Sequence, residues 1–192
     1  ARDLAAARTD AARAAVLAEG RRALEGAFRD VVMPAWRGTD WDFYGTTRTP
    51  GAGAIACGHF VATALTDLGF DAARLRLGQA ASEHIARTFV PKEALLRFSD
   101  RAAADVVAAV RANGPGVYAL GLDRHAGFLD VRADGAVLMC HAGPMEGVVC
   151  EDAATAPAFV SRYRVAARLF GDDMVRGWLA GRRWEVFTTS AR

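Results

Sequence analysis

The stretch "HAGFLDVRADGAVLMCHAG", residues 125–143, decides the fold. "HAGFLDV" and "AVLMCH" each read as a β-strand, and the "ADG" between them is a hairpin signal. A three-residue loop needs a glycine in the left-handed region, and Gly135 suits that place. Such a loop pairs Arg132 with Ala136 and sets His125 opposite Gly143. His141 then becomes the diagonal neighbour of His125 on the same face. A two-residue loop would change the parity and send the two histidines to opposite faces.

Working outward, "GVYALGL" (116–122) and "RYRVAARLF" (162–170) also read as strands, and "RWEVFTTS" (183–190) adds a last one. "DDMVRGWLAG" (172–181) reads as a short helix with acidic residues at its positive end. Upstream the period changes to helical. From Thr9 to Trp36 the residues Val16, Leu17, Leu24, Phe28, Val31 and Val32 recur at three-, four- and seven-residue spacings, and Pro34 ends or kinks the run. The segment "RGTDWDFYGTTRTPGAG" (37–53) is a loop with aromatic residues. A helix starts at Cys57 and carries Phe60, Val61, Ala64, Leu65 and Leu68 on one face, with Gly69 placed as its C-terminal cap. Another helix is expected over Arg101–Ala112, stopped by "NGPG". Helices first and antiparallel strands later give the α+β class, helices packed on an antiparallel sheet with an added long N-terminal helix.

The chain has 192 residues and is 52% hydrophobic, which predicts one domain over 1–192. Residues 1–40 form a helical extension and 41–192 the core. The net charge of +2 points neither to nucleic acid nor to a membrane surface. Lys92 is the only lysine, so the many arginines reflect coding bias and carry little functional weight. No stretch is apolar enough to span a bilayer. The first residue is Ala1, as a cleaved export signal would leave it.

Three cysteines, Cys57, Cys140 and Cys150, are too few for a disulfide framework. Cys140 either packs in the core or pairs with Cys150 across the "HAGPMEGVV" turn. Cys57 stands apart. A thiol in the first turn of a helix meets unpaired N–H groups and the positive end of the dipole, which favour the nucleophilic thiolate. The small residues before it, "GAGAIA", allow close approach of a substrate. A cysteine nucleophile needs a base, and the base an orienting partner. His125 and His141 are placed for those roles. His59 points away from the apolar stripe of its helix and is expected at the surface. His84, in "GQAASEHI", lies either in a plain polar loop or near the cleft with Gln79 and Ser82. The spacings "CGH" and "CH" do not suit zinc, so no metal or other cofactor is expected.

The order of a cysteine at a helix start, a histidine at a strand start and a second polar residue on the next strand resembles the papain-like cysteine hydrolases. It is most similar to the NlpC/P60 group of bacterial cell-wall peptidases. "HAGFL" and "MCHAG" resemble that group's second and third motifs, and "WDFYGTT" its aromatic-glycine segment. The first motif, Asp-Cys-Ser-Gly, is matched in part, with Ala56 and Gly58 replacing the aspartate and the serine. The resemblance covers roughly Trp41 to Gly143. It implies a papain-like fold and a triad of Cys57 as nucleophile, His125 as base and His141 as orienting residue. Sγ of Cys57 should lie within about 4 Å of one ring nitrogen of His125, whose other nitrogen faces His141. The backbone N–H of Cys57, with Tyr44 or Trp41, would serve the oxyanion. The implied reaction is amide hydrolysis through a thioester, on a peptide or a peptidoglycan stem peptide, in the periplasm or outside the cell. The same triad also serves acyl transfer, and the same fold a non-catalytic envelope binding module.

Overall fold

The computed structural model describes residues 2–189. In chain order its elements are α1 (Arg2–Ala6), α2 (Asp10–Ala27), a π-helical turn (Phe28–Val32), α3 (Met33–Trp36), α4 (Cys57–Asp67), β1 (Asp71–Ala72), α5 (Arg74–Gly78) and α6 (Ser82–Phe89). Then come β2 (Leu95–Ser99), α7 (Ala103–Ala112), β3 (Gly116–Leu122), β4 (Ala126–Val131), β5 (Val137–Gly143), β6 (Gly147–Asp152), β7 (Tyr163–Arg168), α8 (Asp172–Leu179) and β8 (Arg183–Trp184). Six strands form one antiparallel sheet in the order β2-β7-β3-β4-β5-β6. The class is α+β, as the change of period predicts.

Both faces of the sheet are covered. On one, Val117, Ala119, Phe128, Cys140, Ala142 and Val165 pack with residues of α2, α4, α6 and α8. On the other, Tyr118, Leu120, Leu129 and Met139 pack with Val106, Val107 and Val110 of α7 and with Phe159. Cover on both faces leaves β3 and β4 buried along their whole length, so β3 reads as a continuous apolar run and β4 does so apart from Asp130.

The decisive hairpin has the three-residue loop. Arg132 N–H donates to Ala136 O at 2.8 Å, Gly135 adopts φ +89°, and Gly127 pairs with His141. The long N-terminal helix is capped by the Thr9 side chain, which accepts from Ala12 N–H. Pro34 does not end it. The π turn ahead of it shifts the bonding register, Met33 N–H donating to Phe28 O, and the helix runs on to Trp36. Arg29, on that turn, holds the helix to the sheet by donating Nε–H to Oδ1 of the buried Asp130 at 2.9 Å. At the end of α4, Gly69 (φ +89°) caps as expected: its N–H donates to Thr66 O, and Phe70 N–H to Leu65 O.

Five elements occupy stretches without a sequence assignment or expected as loop or turn: β1, α5, α6, β2 and β6. Helix α7 begins at Ala103 rather than Arg101. The expected last strand shrinks to Arg183–Trp184, which pairs in parallel with β1 outside the main sheet. The tail of that expected strand, Ser190, lies outside the described residues.

Cys140 and Cys150 face each other directly across β5 and β6 and are joined by a disulfide, and Cys57 is the free thiol. Unfolded without reductant, the chain therefore titrates as one thiol; with reductant it titrates as three. Replacing both bonded cysteines by serine lowers stability by about 2–3 kcal/mol, the loop-closure entropy of a short cross-link. Thiol titration and urea unfolding check both results.

Candidate functional site

Cys57 is the first helical residue of α4 and is half-buried. The cap position before it is Ala56, which offers no side-chain acceptor, so no cap side chain occupies the amides of the first turn. Gly58 is demanded by packing. A Cβ there would stand 2.3 Å from the carbonyl oxygen of Gly78, where α5 ends against α4. The serine of the resembled motif would collide at that point. The aromatic loop is tied to the same spot, because Ala56 N–H donates to Gly45 O at 2.9 Å.

His125 sits in the turn between β3 and β4, closed by Leu122 N–H donating to His125 O at 2.9 Å. It stands at the end of the sheet and reaches two ways. It lines a cleft of about 270 Å³ together with Cys57, Gly58, Ala81, Ser82 and Arg124. Its Nε2 lies 2.9 Å from Nδ1 of His141, with the two rings nearly perpendicular. His141 is buried on β5, on the side of the sheet that carries Met139. Glycines make room for its ring. A Cβ on Gly127 would stand 3.0 Å from His141 Cβ, and one on Gly143 would stand 3.0 Å from His141 Cε1. The two "HAG" triplets thus supply both histidines and the space for the second. Beyond His141, its Nε2 lies 3.0 Å from Oε1 of Glu151 on β6.

Of the expected geometry, the contact between His125 and His141 is present. Cys57 and His125 share the cleft, but no hydrogen bond joins thiol to imidazole, and Nδ1 of His125 is unengaged among the described residues. Burial, and secondarily the neighbouring His141, push His125 down to about 4, so at neutral pH its imidazole is uncharged. An uncharged imidazole with a free lone pair is a proton acceptor.

The remaining candidates separate. Ser82 lines the cleft and donates Oγ–H to Leu122 O at 3.0 Å. Gln79 is exposed at the end of α5 and does not line it. Trp41 packs against the main core with its Nε1 buried and unpartnered, and Tyr44 is 83% exposed against Phe43; neither lines the cleft. His84 lies on α6 against the edge of Phe187. His59 is buried rather than exposed, with Nδ1 over Gly78. Helix α5 covers the side of α4 that the apolar stripe left open, and the resulting desolvation, with Arg74 nearby, lowers the pKa of His59. Glu151 was not a sequence candidate. Its signal was the pair Gly143 and Gly147 around "PME", which closes a second hairpin.

No group of three or more His, Cys, Asp or Glu among the described residues is placed to hold a metal ion. No helix among them is long and apolar enough to cross a membrane. Comparison with protein-family models, with curated proteins and with solved structures returned no match.

Proposed function

We propose that the protein is a thiol hydrolase of the NlpC/P60-like, papain-like kind, cleaving an amide bond in bacterial cell-wall peptides with Cys57, His125 and His141. The observation that carries this is His125 itself: it lines the cleft with Cys57 and is hydrogen-bonded at 2.9 Å to His141. Base and orienting partner are thus in contact at the mouth of a helix that begins with a thiol.

In the reaction, Sγ of Cys57 attacks the carbonyl carbon of the substrate amide while Nδ1 of His125 takes the thiol proton. The oxyanion lies toward the backbone N–H of Cys57. The tetrahedral intermediate collapses, His125 returns its proton to the leaving amine, and an acyl thioester remains on Cys57. Water attacks the thioester with its proton passing to His125, and the thiol and a carboxylic acid are released. Small residues around the nucleophile, Gly58, Gly78, Ala80 and Ala81, leave room for an extended backbone to approach. A disulfide between β5 and β6 suits an oxidising compartment, in keeping with a periplasmic or extracellular protein.

The test is turnover of purified stem peptides, read as release of a free amine. His141→Ala lowers kcat/KM far less than His125→Ala, because His141 orients the imidazole but moves no proton. His141→Asn or His141→Gln recovers part of the loss, since an amide oxygen still accepts from Nε2–H of His125. Equal and total loss in both alanine variants, with no recovery, would assign His141 a different task.

A further inference from the structure

We propose that Glu151 is a fourth, positioning residue, one that selects the tautomer in which His125 can act as a base. The proposal rests on the hydrolase reading above. It starts from two contacts in series: His125 Nε2 to His141 Nδ1 at 2.9 Å, and His141 Nε2 to Glu151 Oε1 at 3.0 Å.

An ionised carboxylate only accepts hydrogen bonds. The hydrogen between Glu151 and His141 therefore sits on His141 Nε2. When neutral, the His141 imidazole carries one N–H, and with that hydrogen on Nε2 its Nδ1 is a bare lone pair. That lone pair accepts, and the hydrogen between the histidines sits on Nε2 of His125. By the same rule Nδ1 of His125 is bare, the nitrogen needed for the thiol proton.

Without the carboxylate the series has a second solution. His141 carries its hydrogen on Nδ1 and donates it to Nε2 of His125, whose own hydrogen then sits on Nδ1. In that state His125 presents an N–H to the cleft and takes no proton from Cys57. Two imidazoles alone do not choose between the states; the acceptor at the far end does. The pairing that brings Glu151 there is fixed by β6, where Cys150, its neighbour in the chain, is bonded to Cys140 beside His141. His141 is buried, and Glu151 Oε1 is the side-chain acceptor at its Nε2 among the described residues.

The experiment uses the full chain with ¹⁵N-labelled histidine. Nitrogen chemical shifts separate protonated from bare ring nitrogens, and single-histidine variants assign the signals. The parent shows Nε2–H and bare Nδ1 on both His125 and His141. In Glu151→Leu that pattern is lost and Nδ1–H becomes populated on both rings. Its kcat/KM on stem peptides falls about 10–100-fold, as for other partners that orient an imidazole. Glu151→Gln, whose amide oxygen can accept, keeps the parent tautomers and most of the rate; Glu151→Val, which accepts nothing and suits a strand, replaces the leucine variant should that one not fold. Nδ1–H on His125 in the parent, or unchanged tautomers in Glu151→Leu, overturns the proposal. The spectra decide this even if no stem peptide is cleaved, an outcome that would count against the hydrolase reading alone.

Discussion

Cys57→Ala abolishes turnover of stem peptides, by about ten-thousandfold or more, and leaves the fold in place. The loss follows from chemistry: Ser82, the hydroxyl that shares the cleft, commits its O–H to Leu122 O and is a weaker nucleophile than a thiolate, so removing Cys57 eliminates the covalent route. The fold survives because of position. Cys57 is half-buried in the first turn of α4, is not part of the disulfide, and alanine is the best helix former. A stability change below about 1 kcal/mol is expected for such a site. Kinetics and thermal unfolding on one preparation separate the two effects. Retained turnover would remove Cys57 from the mechanism.

His125→Ala comes second, with a loss of about a thousandfold, within the range of a general base. The pH profile carries more information than the loss itself. Burial, and then His141, hold the pKa of His125 at about 4 rather than 6.5, so the neutral base persists as the pH falls through 6 and 5. The acid limb of kcat/KM, which reports the free enzyme, therefore lies near 4. Stability follows the opposite partner. Between pH 6.5 and 4 the unfolded chain binds a proton at this histidine that the folded chain refuses. The contribution of His125 to stability is thus full above 6.5 and declines as the pH drops toward 4. An acid limb near 6.5 would mean that the imidazole is far more solvated than the cleft suggests.

The hairpin was legible because one glycine between two strand-like runs fixes the loop length and with it the register. Once Gly135 set a three-residue loop, the parity of His125 and His141 followed without any tertiary information. Helix α4 was legible from its apolar stripe and from Gly69. What escaped notice depends on partners distant in sequence. Residues Gly58 to Leu65 of α4 are all buried, because α5 covers the side opposite the sheet. "RLRLG" is too short and too charged to announce a helix, so His59 was expected at the surface. Glu151 escaped for a similar reason. "GVVCED" follows a turn rich in glycine and lacks the alternation of a strand, yet pairing with β5 makes it one and brings a carboxylate to His141. The aromatic loop gave a wrong emphasis: its tie to the start of α4 runs through the backbone of Gly45, while Trp41 and Tyr44 do not line the cleft.

The most direct measurement is the mass of the Cys57 peptide after acid quenching of the protein mixed with stem peptides at pH 7. The expected result is an added acyl group on Cys57, equal in mass to the substrate less its leaving amine, with that amine free in solution and with no adduct in His125→Ala. Turnover without an adduct on Cys57, turnover undiminished in Cys57→Ala, or no turnover of any stem peptide would contradict it.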